Sequence, residues 1–400
     1  MRMQLPYGLS LRIAALSAPI SILIAGIFLA LTFTSCGGGA DTGDRAFVRT
    51  AGNAGSGSVS HSTSLRIELV DDGYYVEVRN PMDTSEVLAS YHLSRKNKTE
   101  IGEEHSTIRI PIERMALGST TFVPYFEHLG AAQVIRGVTY ATQVRSEEIA
   151  EQVNEGFTLE IAGDTGIDPE RLLMTDADVA MVYLYGNSNF RQLQELGIPV
   201  VLNMEYQESS PLARAEWVKL SACLLDRLAE AEAIFGEIED RYMEISQLAK
   251  DASYAPKVFS GSKYERKWFA PGRSSFVAQY IRDAGGRYAF EHVEGSGSVE
   301  LDFESVLSTL VKCDYWGLIT SSEEEFALSH LIRVDPQYAL FEAFRSGQVF
   351  VCNTAKSDYF GNAVMEPDVV LADLVAIIHP DLLPGHESVY FHLAVRDVKA

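Results

Sequence analysis

The chain has 400 residues and a formal net charge of −22, with 33 Lys and Arg against 55 Asp and Glu. That balance excludes a nucleic-acid binder, which needs a basic face for phosphate contacts. The length suffices for two domains of ordinary size, each with its own core.

The first 36 residues read as a leader. Arg2 and Arg12 give it a positive front, the uncharged apolar stretch Ile13–Phe33 follows, and Thr34-Ser35-Cys36 leads into Gly37-Gly38-Gly39. Small residues before a cysteine, straight after an apolar core, resemble a bacterial lipoprotein signal, with Cys36 as the lipidated mature N-terminus. The same stretch is long enough to act instead as an uncleaved membrane anchor. Either way the folded part lies outside the cytoplasm, in the cell envelope. Residues 37–64 are rich in Gly, Ser, Ala and Thr and read as a flexible tether. Beyond Cys36 only Cys223, Cys313 and Cys352 remain, with no CxxC spacing. A Cys313–Cys352 disulfide and three buried free thiols both stay open.

Leu65–Leu69 and Tyr74–Val78 alternate around Asp71-Asp72-Gly73, a hairpin signal. An α/β unit begins within Ile108–Leu117. Strands follow at Gln133–Val138, Val179–Tyr185 and Pro199–Met204, with helices at Ser146–Asn154, Pro169–Met174 and Phe190–Leu196. Such alternation predicts a mostly parallel sheet.

From Leu212 to Ala249 the apolar residues Trp217, Leu220, Leu224, Leu228, Ala231, Phe235, Ile238, Tyr242, Ile245 and Leu248 recur at gaps of three and four, which predicts one helix with a single apolar stripe. Ser209 and Ser210 are placed to cap it, and Pro211 suits its first position. At 1.5 Å per residue it would span roughly 57 Å, enough to join two lobes as a strut. Closure of the lobes would then be small, because bending a packed helix is harder than turning a loop.

A second α/β set follows: strands at Lys257–Ser260, Tyr315–Thr320 and Gln348–Asn353, helices at Phe276–Ala284, Phe303–Leu310 and Val369–Ile378. The expected fold class is α/β, with two Rossmann-like lobes joined by one long rigid backbone helix and a ligand cleft between them. The expected divisions are 1–36 leader, 37–64 tether, 65–210 N-terminal lobe, 211–250 backbone helix and 251–400 C-terminal lobe.

Several segments carry a resemblance. The first half shows Ser119-Thr120-Thr121, Leu129-Gly130-Ala131 before a strand ending Gly137-Val138, then Ile167-Asp168-Pro169-Glu170-Arg171-Leu172-Leu173 and Leu196-Gly197-Ile198-Pro199-Val200. The second shows Trp268-Phe269-Ala270-Pro271-Gly272-Arg273-Ser274-Ser275, Asp283-Ala284-Gly285-Gly286, Leu301-Asp302-Phe303-Glu304 and Met365-Glu366-Pro367-Asp368. In order and spacing, from about Ile108 to Val395, these resemble the helical-backbone (class III) periplasmic binding proteins. Those are the substrate-binding components of ABC importers for iron–siderophore complexes, haem and cobalamin. Arg273 stands where a second glycine is common in that family.

The resemblance implies a monomeric receptor with no cofactor of its own, binding an iron chelate, haem or cobalamin as cargo. Its partners would be an ABC permease with its ATPase subunits. Glu170 and Glu304, one early in a helix of each half, match the family's permease-docking glutamates. An acid in a first helical turn also stabilises the helix dipole without any partner. Expected cargo contacts are Tyr140, Tyr185 and Tyr206 after strands of the first half, and Tyr264, Arg266, Trp268, Arg273 and Tyr359 in loops of the second. Aromatic faces and guanidinium groups suit a large planar or anionic chelate. The nine histidines show no HxH or HExxH spacing, so no metal site is expected. Ser260-Gly261-Ser262-Lys263 has SxxK spacing, but no SDN or KTG element follows, and an enzyme is not expected. A surface lipoprotein holding a protein partner is the alternative outside the receptor class.

Overall fold

A computed structural model describes residues 59–102, 105–163, 166–184 and 190–397, with backbone only at 190 and 191. The leader, Cys36, Tyr185 and most of the expected tether lie outside the described residues.

The chain first builds a four-stranded sheet: β1 (Leu65–Val70), β2 (Gly73–Asn80), β3 (Asp83–Ser94) and β4 (His105–Arg109), in that order. The expected hairpin is β1–β2, antiparallel with Leu65 opposite Val78. Gly73 turns it at φ +156°, where a Cβ would lie 1.8 Å from the Leu93 carbonyl oxygen, so only glycine fits. Asp72 accepts from Ser94 Oγ at 2.5 Å and His92 Nε2 at 2.9 Å, tying the turn to β3.

The N-terminal lobe follows with β5 (Met115–Leu117), α1 (Val123–His128), β6 (Ile135–Val138), α2 (Glu147–Asn154) and β7 (Leu159–Glu160). A short ribbon, β8 (Ala162–Gly163) and β9 (Gly166–Ile167), leads into α3 (Pro169–Met174), β10 (Val179–Val182), α4 (Phe190–Glu195) and β11 (Val200–Leu202). Its parallel sheet runs β11-β10-β5-β6-β7. β10 and β11 are apolar and buried along their whole length, as a strand covered on both faces must be.

The expected backbone helix is in three pieces: α5 (Pro211–Ala215), α6 (Val218–Leu224) and α7 (Leu228–Lys250). Ser210 caps α5 through the Ala213 N–H, with Pro211 at its first position. The break before α7 is a Schellman turn. The N–H of Arg227 donates to the Ala222 carbonyl, and that of Asp226 to the Cys223 carbonyl, with Asp226 left-handed at φ +58°. Apolar spacing persists across this break, which is why periodicity alone predicts a single helix. α6 is buried at every residue and packs on α7. Only the 23 residues of α7, about 35 Å long at 1.5 Å each, remain as a continuous strut.

The C-terminal lobe contains β12 (Lys257–Ser260), β13 (Ser262–Tyr264), β14 (Lys267–Pro271), α8 (Phe276–Asp283), β15 (Arg287–Tyr288), β16 (Ser298–Asp302) and α9 (Phe303–Leu310). β17 (Tyr315–Thr320), α10 (Leu328–Val334), α11 (Glu342–Ser346), β18 (Val349–Asn353), α12 (Pro367–Ile378) and β19 (Phe391–Leu393) complete it. The main sheet runs β15-β12-β17-β18-β19, parallel except for β19, and β13-β14-β16 form a small antiparallel sheet. Cys223, Cys313 and Cys352 are buried free thiols, so the disulfide alternative is closed.

Number the parallel strands of each lobe by sequence, leaving out β7, and the same order appears twice. β6-β5-β10-β11 and β15-β12-β17-β18 are both 2-1-3-4. In open sheets of this kind the crevice lies at the carboxyl ends, where strand order reverses.

The ends of the described chain are each pinned by one buried carboxylate. Glu216, between α5 and α6, accepts from the N–H groups of Ser60, His61 and Ser62 at 2.8–2.9 Å and from Lys219 Nζ at 2.7 Å. Asp373 of α12, fully buried, accepts from Val389, Tyr390 and Phe391 N–H and from His386 Nε2 at 2.7 Å. Ser60, His61 and Ser62 are thus bonded to the folded chain ahead of β1.

Candidate functional site

The two lobes meet around α5. Arg214 lies with its guanidinium 4.1 Å from the centroid of Phe276, the first residue of α8, and donates from Nε to Glu205 at 2.7 Å. Burial alone would pull the Arg214 pKa down; the adjacent Glu205 carboxylate outweighs that and raises it. Its carbonyl accepts from Tyr125 of α1 at 2.9 Å. A second link crosses from the loop before α2, where Arg145 Nη2 donates to the Thr354 carbonyl at 2.7 Å, just past β18. Neither link was among the residues expected from sequence, and nothing in local spacing marks them.

A pocket of about 310 Å³ opens between the β2–β3 tip (Pro81, Met82), the approach to α5 (Gln207–Ser209) and the C-terminal lobe at Arg273 and Glu294–Ser296. Arg273 is exposed there and pairs with Glu294 at 3.1 Å. Of the described residues expected to touch cargo, Arg273 alone lines this pocket. On its wall Glu208 accepts from Ser62 Oγ and Trp217 Nε1; burial pushes its pKa up to about 6 despite those hydrogen bonds.

The other expected contacts separate into three groups. Tyr140, two residues past β6, is 48% exposed and left-handed at φ +57°. Tyr264 and Arg266, at the β13–β14 turn, are exposed as well. Tyr206 is half-buried: its hydroxyl donates to the Leu184 carbonyl at 2.7 Å and its ring meets Tyr183 edge-on.

Trp268 and Tyr359 correct the expectation. Trp268 stands on strand β14, not in a loop. Strand alternation turns it inward, fully buried, while Lys267 faces out. It stacks on Phe303 at 6.0 Å within a cluster that includes Phe259, Trp316, Tyr338 and Phe341. Tyr359 is buried against Phe391 and Phe360, and burial pushes its hydroxyl pKa up. Both are core residues. A tryptophan and a tyrosine flanked by turn formers suggest a loop, and the sequence pattern hides which neighbours they meet across the sheet.

Glu170 and Glu304 occupy matching places. Each is exposed at the second position of its helix, α3 before β10 and α9 before β17, the third strand of its lobe. Asp168 and Asp302 are the caps, accepting helix-start N–H groups, which leaves the two glutamates without a capping duty. In the SxxK stretch, Lys263 pairs with Asp335 and sits 4.0 Å over the Phe303 ring.

A model described as periplasmic binding protein matches residues 129–355. The chain belongs to the periplasmic binding protein family. The resemblance read from its motifs is thereby borne out, and the matched range leaves the β1–β4 sheet outside it. An uncharacterised lipoprotein of Methanocaldococcus jannaschii is 26% identical over 305 residues, 74% of this chain and 72% of that protein. A second uncharacterised lipoprotein of that organism is 23% identical over 341 residues, covering 82% and 83%. Among solved structures, a periplasmic heme binding protein from Pseudomonas aeruginosa shares the fold with a TM-score of 0.58 at 17% identity, over 72% of this chain and 99% of that one. A periplasmic vitamin B12 binding protein of Vibrio cholerae does so with a TM-score of 0.50 at 13% identity, over 67% and 98%. Family members are solute-binding proteins, and the α/β class is that of the neighbours. Among the described residues no helix is long and apolar enough to cross a membrane.

Proposed function

We propose that this protein is a lipid-anchored receptor, held through Cys36, that captures an iron complex, siderophore or haem, between its lobes. It hands the cargo to an ABC permease and does no chemistry on it. The observation that carries the reading is the repeated 2-1-3-4 sheet order: open sheets of this kind take ligands at their carboxyl ends where strand order reverses, and two such ends suit one cargo held between them. Tyr140 is exposed just past the carboxyl end of β6, and Tyr264 at the end of β13, Arg266 in the β13–β14 turn and Arg273 just past β14 are exposed too. Structural neighbours named for heme and vitamin B12 binding support cargo of that size and leave cobalamin as the second reading. Glu170 and Glu304, exposed and equivalent on the two lobes, suit a permease surface carrying arginines. Tyr185, outside the described residues, and Tyr206 remain candidate contacts.

The test is calorimetry on the tag-free mature chain with haemin, ferrichrome, a ferric catecholate and cyanocobalamin. Absorbance serves as the second readout. Trp217, Trp268 and Trp316 are all fully buried, so tryptophan quenching would report poorly on a surface cleft. One saturable, one-to-one ligand is expected. Folded protein that binds none of the four overturns the reading.

A further inference from the structure

Four described residues other than glycine have positive φ: Tyr140, Asp176, Asp226 and Glu265. Tyr140 is the only aromatic among them. A residue with a bulky Cβ substituent rarely adopts this conformation unless its surroundings impose it. With 48% of the residue exposed, burial of its ring is not what imposes it.

What holds the turn is Glu160, the last residue of β7. Its Oε1 accepts from Tyr140 N–H at 3.0 Å and from Ala162 N–H at 2.7 Å. Its Oε2 accepts from Ala141 N–H at 2.6 Å. Three backbone donors on one carboxylate are charge-assisted and directional. The Gln143 N–H then closes a turn onto the Tyr140 carbonyl at 2.8 Å. Two residues later Arg145 reaches the other lobe at Thr354. The segment from Tyr140 to Arg145 thus begins on the Glu160 carboxylate and ends across the lobe junction.

We infer that Glu160 is a positioning residue for the cargo site: its carboxylate presets the left-handed turn that leaves the Tyr140 ring exposed at the carboxyl end of β6, before any ligand arrives. This rests on the reading that Tyr140 touches cargo. A ring already in its binding pose does not pay for ordering when the ligand binds, so part of the affinity resides in Glu160 although it lies behind the turn.

The test is a double-mutant cycle on the full mature chain, with haemin, ferrichrome, a ferric catecholate and cyanocobalamin as probes. Glu160→Ala is expected to weaken the bound probe about tenfold where Tyr140 is present, and not further once Tyr140→Ala has removed the ring. Glu160→Gln, which keeps one acceptor oxygen, falls between. A readout without ligand accompanies this. Glu160→Ala lowers the denaturation midpoint, and most of that loss disappears in a Tyr140→Gly background, because glycine takes φ +57° unaided. Equal losses of affinity in both backgrounds would mean that Glu160 only supports the fold, and would overturn the inference. So would a Tyr140-dependent affinity that Glu160→Ala leaves untouched. Affinity indifferent to Tyr140→Ala removes the cleft assignment of Tyr140, and with it this role for Glu160. Binding of no probe removes the receptor reading itself.

Discussion

The two lobes share a strand order but differ in the aromatic residues near their carboxyl ends. At the carboxyl ends of the N-terminal sheet, Tyr140 is exposed and backbone-strained, and Tyr206 is half-buried against Tyr183. In the C-terminal lobe, Trp268, Trp316, Phe259, Phe303, Tyr338 and Phe341 form one buried cluster behind the β13–β14 hairpin, whose exposed turn carries Tyr264 and Arg266. Away from these ends the N-terminal lobe buries rings too, Phe122, Tyr125 and Phe126 among them. The difference teaches that aromatic content near a cleft does not identify contacts. Strand alternation decides which of these rings reach the surface.

The largest expected effect tests where the lobes are alike. Reversing both glutamates, Glu170→Lys with Glu304→Lys, is expected to abolish permease-dependent uptake in cells while the purified receptor keeps its cargo affinity. Each single reversal should give an intermediate loss. Uptake that survives the double reversal would falsify the docking role and leave these acids as helix-start residues only.

Trp268→Ala tests where the lobes differ. Removing a fully buried indole from a stacked cluster is expected to cost about 3–5 kcal/mol in chemical denaturation. Trp268→Phe should retain most of the stability and all of the cargo affinity. Affinity lost in Trp268→Phe at unchanged stability would restore the residue to the binding surface.

A third comparison is between two carboxylates at the junction. Glu216 is paired with Lys219 and three N–H groups; its burial would raise the pKa, but these partners win and lower it. Its contribution is therefore present above the unfolded value of 4.5 and lost as pH falls through the folded pKa. Glu208 behaves oppositely, raised by burial from 4.5 to about 6. The folded chain holds the extra proton between those values, so this group subtracts stability as pH rises from about 4.5 to about 6. A shift of that size corresponds to about 2 kcal/mol. Denaturation midpoints taken across this range should show that decline in the native chain, and Glu208→Gln should flatten it. An identical pH profile in the variant would remove the assignment.

Local sequence marks some of these elements and not others. Pro169–Met174, Phe303–Leu310 and Tyr315–Thr320 emerge with the bounds read from sequence, because an Asp cap or an apolar run marks each locally. β3 carries no local signal: Asp83–Glu86 is exposed and polar, and its pairing with β2 is set by a turn and a register shift, not by alternation. Glu160 was invisible for a different reason. Its function depends on reaching backbone donors 19 and 20 residues away, which no local pattern records. Trp268 and Tyr359 were misplaced because composition marks an aromatic residue, and only the assembled sheet says which side it faces.

The break before α7 shows the same limit at one residue. A helix C-terminus is usually announced by glycine in the left-handed position. Here that position holds Asp226, whose carboxylate accepts from Arg95 Nε at 2.7 Å and Tyr74 hydroxyl at 3.0 Å, fastening the β1–β4 sheet to the turn. The residue that stops the helix is therefore kept as aspartate by contacts made 131 and 152 residues away in sequence. Asp226→Gly and Asp226→Ala lose those partners equally, but only alanine must still occupy φ +58°. Alanine is expected to be the less stable by about 1 kcal/mol in equilibrium denaturation. If the two variants unfold together, the turn is held by the sheet against it and not by the conformation of this residue.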